Sequence, residues 1–140
     1  MRVVVDTNVL ISSFFGGNPK KIIDLWKAGD ITLCLSRDIV DEYLDVLQRL
    51  KTDAALMAEL LSLFASGYHL LFAGSTPSLR IVPDDPDDDK FFECAVALKA
   101  FVIVTGDKAM LKVTNYMGIA VESPQQFLSS RPVPKTNLVR

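Results

Sequence analysis

The run Val3-Val4-Val5-Asp6-Thr7-Asn8 constrains the fold more than any other stretch of the chain. Three consecutive β-branched residues read as a strand buried on both faces, the environment of a central strand in a parallel sheet. The run stops on a carboxylate. An Asp directly after such a strand lies at its C-terminal end, where open α/β sheets place their ligands. Thr7 and Asn8 add short polar groups that can orient this carboxylate or hold water. A strand-end Asp is often only the cap of a following helix, but its place directly after a buried strand favours a functional role for Asp6.

The rest of the chain alternates between helical and extended patterns. A short helix over 9–15, opened by Thr7 or Asn8, ends at Gly16-Gly17-Asn18-Pro19. Ile22, Ile23, Leu25 and Trp26 then form one apolar stripe, closed by Gly29. Residues 31–35 read as a strand. Ser36 caps a longer helix whose Ile39, Val40, Tyr43, Leu44, Leu47 and Leu50 face inward. A further helix over about 52–66 buries Ala55, Leu56, Leu60, Leu63 and Phe64 and stops at Gly67. Residues 68–72 read as an edge strand, and Ile81-Val82 as a short extended piece.

The segment Asp84-Asp85-Pro86-Asp87-Asp88-Asp89 opens a helix over about 87–100, with Phe91, Phe92, Ala95, Val96 and Leu98 inward. The strand Phe101-Val102-Ile103-Val104 runs into Thr105-Gly106-Asp107, and Met110-Leu111 belong to a short helix. A last strand at 119–121 precedes a short helix opened by Ser123-Pro124. This alternation predicts an α/β fold: a three-layer α/β/α sandwich around a mostly parallel sheet, centred on the strands that start at Val3 and Phe101. One domain over 1–130 and a flexible C-terminal tail over 131–140, with two Pro and no apolar period, account for the chain.

Composition narrows the function. The net charge is -2, so no overall basic field attracts nucleic acid, and a polyanionic substrate would need local basic groups or bound cations. Cys34 and Cys94 lie in apolar stretches and read as buried, reduced thiols of a cytoplasmic protein. A Cys/His metal site is disfavoured, because His69 is the single histidine and no Cys-x-x-Cys spacing occurs. No signal peptide and no membrane-spanning run is expected.

Asp6, the Asp84–Asp89 run and Asp107 stand at the ends or starts of apolar elements, and a parallel sheet brings such positions to one rim. Glu42 lies at the edge of the core stripe of its helix and points to the same rim. Four carboxylates in one cleft raise one another's pKa or require a cation. Oxygen ligands without His or Cys select Mg2+ or Mn2+, ions suited to phosphodiester hydrolysis. The plainer reading of each acid is a cap, a solvated loop or a helix surface; their shared placement is what points to a site.

With these residues in view, the chain resembles the PIN-domain proteins, in particular the branch described as toxin components of toxin–antitoxin systems, relatives of the VapC-like ribonucleases. The likeness rests on Val3-Val4-Val5-Asp6-Thr7-Asn8-Val9-Leu10, Ser36-Arg37-Asp38-Ile39-Val40-Asp41-Glu42-Tyr43, Asp85-Pro86-Asp87-Asp88-Asp89-Lys90-Phe91 and Val104-Thr105-Gly106-Asp107-Lys108. It implies that Asp6, Glu42, Asp88 and Asp107 are the catalytic, metal-binding acids, with Asp89 as the rival to Asp88. It gives Asn8, Thr105 and Asp89 supporting positions behind the ligands. It further implies Mg2+- or Mn2+-dependent cleavage of an RNA substrate, an antitoxin protein as partner, and a homodimer. An RNA-processing nuclease without a toxin role is the nearest alternative.

Two other classes compete. A phosphoryl-accepting enzyme of the haloacid-dehalogenase kind would want a second Asp two residues after Asp6, where Asn8 stands, and a receiver would want paired acids after its first strand. A non-catalytic metal- or phosphate-binding module would keep the cleft without turnover. Lys20, Lys21, Arg49, Lys51, Lys90, Lys108 and Lys112 are the candidate contacts to an RNA backbone.

Overall fold

The computed structural model describes residues 1–50 and 53–130. Lys51, the predicted helix start at Thr52 and the predicted tail at 131–140 lie outside the described residues. The elements in order are β1 (Arg2–Val5), α1 (Thr7–Ser12), a 3-10 turn at Ser13–Phe15, α2 (Gly17–Lys27), β2 (Thr32–Ser36), α3 (Arg37–Leu50), α4 (Ala54–Ser66) and β3 (Leu70–Ala73). A second 3-10 turn at Pro86–Asp88 leads into α5 (Asp89–Leu98), followed by β4 (Val102–Val104), α6 (Lys108–Leu111), β5 (Asn115–Tyr116), β6 (Ile119–Glu122) and α7 (Pro124–Ser130).

The strands form one sheet in the order β3-β2-β1-β4-β6-β5. All neighbours are parallel except the β5–β6 pair, a short hairpin that the sequence reading did not anticipate. β1 and β4 lie side by side at the centre, with Val3 opposite Val102 and Val5 opposite Val104. Val3, Val4, Val5, Val102, Ile103 and Val104 are all fully buried. α5 lies across β1, β2, β3 and β4, and the other helices complete a three-layer α/β/α sandwich.

The order matters for function. From β1 the chain steps to β2 and β3 on one side and later returns to β4 and β6 on the other. β1 and β4 therefore flank the topological switch point, where the following segments diverge and leave a crevice at the strands' carboxyl ends. The receiver-like order expected of a phosphate-handling switch, 2-1-3-4-5, is not the order found.

Several boundaries differ from the sequence reading for identifiable reasons. Asp6, rather than Thr7 or Asn8, caps α1, accepting the Asn8 backbone N–H at 2.8 Å. Asp53 caps α4 through the N–H groups of Ala55 and Leu56. The inward faces of α3 and α4 are narrower than predicted: Leu50 and Leu56 are exposed, as is Ala55. α4 is anchored by Leu60 and by Phe64, which packs against Trp26 and Tyr43 at 5.8 and 6.2 Å between ring centroids. Phe101 precedes β4 and is exposed. Ile81-Val82 makes no strand; it is held by side chains of α5, as described below.

Candidate functional site

Asp6 is buried at the end of β1, and its carboxylate is fixed from two sides. One oxygen caps α1; the other accepts the hydroxyl of Thr105, which follows β4 and is itself fully buried. The Asp6 backbone N–H donates to Val104 O at 3.0 Å, locking the two strand ends together. Burial pushes the Asp6 carboxyl above its ordinary range, against the pull of the Thr105 and Asn8 hydrogen bonds. Asn8 acts through its backbone; its side chain is exposed.

Asp107 caps α6, accepting the N–H groups of Ala109 and Met110 at 2.8 and 3.3 Å through one oxygen. Its own N–H donates to Thr105 Oγ1 at 3.0 Å. Thr105 thus ties Asp6 and Asp107 to each other through one hydroxyl. Both acids are caps and members of the rim, so the two readings of each hold together: the capping oxygen fixes the carboxylate's direction.

The third element of the rim is the 3-10 turn at Pro86–Asp88. Pro86 suits the first position of such a turn, and Asp85 caps it through the Asp87 N–H at 3.2 Å. Three residues per turn put positions i and i+3 on one side. Asp85 and Asp88 therefore share a face, and one oxygen from each lies within 4.8 Å of one from Asp107. Asp89, one residue on, turns away: it is buried and accepts the backbone N–H groups of Ile81 and Val82 at 3.1 and 2.9 Å. Glu93 accepts the Leu79 N–H at 2.9 Å. Asp89 and Glu93 together hold the strap at 79–82 onto α5.

Asp88 Oδ2 is buried and has no hydrogen-bond partner among the described residues. Desolvation, then the nearby charges of Asp107, Asp85 and Asp6, raise the Asp88 pKa to about 7. A buried carboxylate oxygen without a donor, beside two other acids, is what a cation-binding set looks like when only its protein atoms are considered. The donors are all hard oxygens, and they fit a divalent cation of the Mg2+ or Mn2+ type.

Glu42 arrives by a different route. Ile39, Tyr43 and Leu47 bury one face of α3, and the Tyr43 hydroxyl donates to Val5 O, which fixes α3 against the end of β1. Glu42 then stands at the cleft, where one oxygen accepts the Thr7 hydroxyl and the other pairs with Lys90 Nζ at 2.5 Å. It is not among the three acids whose oxygens converge. The rim thus has two parts: Asp85, Asp88 and Asp107 with Asp6 behind them, and Glu42 with Lys90.

Asp85 and the Lys90–Glu42 pair are the features that sequence reasoning missed. The Asp-Pro step before a helix was the available signal for Asp85, since it favours a tight first turn. Lys20 and Arg49, two of the candidate RNA contacts, pair with Asp24 and Asp45 at the exposed surface of their own helices. Lys21, Lys108 and Lys112 are exposed. A groove of about 770 Å³ adjoins the rim rather than containing it. It lies between the strap and the start of α5 and includes Arg80, Asp87 and Lys90.

The two cysteines are buried and free. Burial raises their thiols to about 11 for Cys34 and about 12 for Cys94, so both stay protonated and inert. No helix among the described residues is long and apolar enough to cross a membrane.

Strand order, switch point and converging acids define an α/β nuclease-type fold with an acidic rim. The chain belongs to the PIN-domain family, whose model matches residues 2–109 and so takes in all five rim acids. PIN domains are generally nucleases that use divalent metals. The chain is also similar to an uncharacterised protein of Methanocaldococcus jannaschii, 30% identical over an alignment of 145 positions that takes in 91% of this chain and 90% of that protein.

Proposed function

We propose that the protein is a Mg2+- or Mn2+-dependent endoribonuclease that hydrolyses RNA phosphodiester bonds, and that it is the toxin of a cytoplasmic toxin–antitoxin pair. The observation that carries the nuclease reading is the convergence of Asp85, Asp88 and Asp107 around a buried, unpartnered oxygen at the switch point of a PIN domain. Asp88 and Asp107, with Asp85, hold the cation; Asp6 and Glu42 complete the acidic wall. When bound, the cation supplies positive charge against the phosphate and acidifies water near it.

The chain's own residues do the rest. Thr105 keeps Asp6 and Asp107 at a fixed separation, so the acids do not reorganise as charge develops. The α1 and α6 caps aim the two carboxylates, and Asp89 keeps the strap and the Asp85–Asp88 turn in register. Arg80, exposed on the strap, makes no ion pair among the described residues and stands in the adjoining groove, where a phosphodiester backbone can lie.

The test is cleavage of a panel of labelled RNAs with Mn2+ or Mg2+ against EDTA, beside Asp6→Asn. Metal-dependent cutting by the wild type alone supports the nuclease reading. Metal binding without cutting on any RNA favours the non-catalytic module. Induced expression in a bacterial host separates the toxin role from RNA processing: growth arrest that Asp6→Asn abolishes is the result expected of a toxin.

A further inference from the structure

Among the described residues, Lys90 alone makes an ion pair with a member of the acidic rim. It is more shielded than the basic partners of the other ion pairs among the described residues, of which the nearest in exposure is Lys27 at 31%. Its side chain is only 13% exposed, whereas Lys20, Arg37 and Arg49 are more than half exposed. The ammonium sits 2.5 Å from Glu42 Oε1 and 3.0 Å from Asp87 Oδ1, and Glu42 Oε2 is taken by the Thr7 hydroxyl. Glu42 is thus held by groups from two other helices, α1 and α5, while the Asp85–Asp88–Asp107 part contains no basic side chain and an oxygen with no donor.

We infer that Lys90 is the resident cation of the rim: its ammonium stands between Glu42 and Asp87, where a second divalent ion would otherwise bind, so each chain takes one divalent ion rather than two. This rests on the metal-dependent reading above and deepens it. A divalent ion on Glu42 would have to approach within a few ångströms of a fixed positive charge in a partly buried site, where Coulomb repulsion is weakly screened. Two-metal nucleases clamp the phosphate between two ions. Here Lys90 supplies the second positive charge from the protein itself, as a positioning residue that also holds Glu42 against Thr7.

Titration calorimetry of the full chain with Mn2+ tests this. The wild type and Lys90→Arg are expected to bind one ion per chain. Lys90→Met, which keeps the buried stem and removes the charge, is expected to bind two, and Lys90→Met with Glu42→Gln is expected to return to one. A wild type that binds two ions overturns the inference and leaves the nuclease reading standing, as does a folded Lys90→Met protein that still binds one. A wild type that binds none removes the metal-dependent reading and the inference with it. The wild-type count decides the matter even if Lys90→Met fails to fold.

Discussion

Thr105→Val is the most informative single change at the rim. The substitution keeps shape and removes a hydroxyl that donates to the Asp6 carboxylate and accepts the Asp107 N–H at 3.0 Å, in a position fully shielded from water. Losing a charge-assisted bond and leaving an N–H unsatisfied costs about 3 kcal/mol in total, or about 10 °C in Tm for a domain of this size. Thr105→Ser is the control: it keeps the hydroxyl, loses one buried methyl, and costs about 1 kcal/mol. Urea unfolding followed by the fluorescence of buried Trp26 measures both. The sign with pH is also fixed. Asp6 already titrates above its ordinary range because of burial. Without Thr105 its charged form is worse off still, so the Val-against-Ser gap widens as pH rises and Asp6 ionises. Equal losses for Val and Ser, or a gap that does not change with pH, would refute the view that this hydroxyl holds the two acids.

The neighbouring acids Asp88 and Asp89 should separate cleanly. Asp89→Ala, which frees the Ile81 and Val82 N–H groups, is expected to destabilise by about 2–4 kcal/mol and expose the strap to protease, while Asp88→Ala is expected to cost little stability. Limited proteolysis with a denaturation curve on each reads this out. Asp88 holds its proton up to about pH 7 in the folded chain, against 3.8 ordinarily, so the folded state binds more protons than the unfolded one across that window. Stability from this group is therefore present at low pH and lost as pH rises through about 7, and Asp88→Asn should gain on the metal-free wild type between pH 4 and 8 in thermal melts. Tyr43→Phe removes the bond to Val5 O that seats α3 and is expected to cost about 1–2 kcal/mol in the same melts.

Much of the fold was legible because its strongest signals are local. Val3-Val4-Val5 and Val102-Ile103-Val104 announce central strands by composition alone, and they are the adjacent pair β1 and β4. The β5–β6 hairpin was not legible, because two residues, Asn115 and Tyr116, carry no strand period. The inward faces of α3 and α4 were overdrawn because an apolar stripe does not say where the neighbouring layer ends. At the site, Asp6 and Asp107 stand out in the sequence by their positions after buried strands. The choice between Asp88 and Asp89 and the role of Asp85 depend on a 3-10 turn whose three-residue period cannot be told from an α-helical one over so short a stretch. Lys90 was visible as a charge, but its pairing with Glu42 joins residues 48 positions apart and exists only once α3 and α5 pack together.

The most direct test of the central claim is the Mn2+ dependence of RNA cleavage by the wild type and by Asp88→Asn under single-turnover conditions. Cleavage that saturates with Mn2+, vanishes in EDTA, and falls by about 100-fold or more in Asp88→Asn is what the converging acids predict. Cleavage that survives EDTA, or is unchanged in Asp88→Asn, would contradict it.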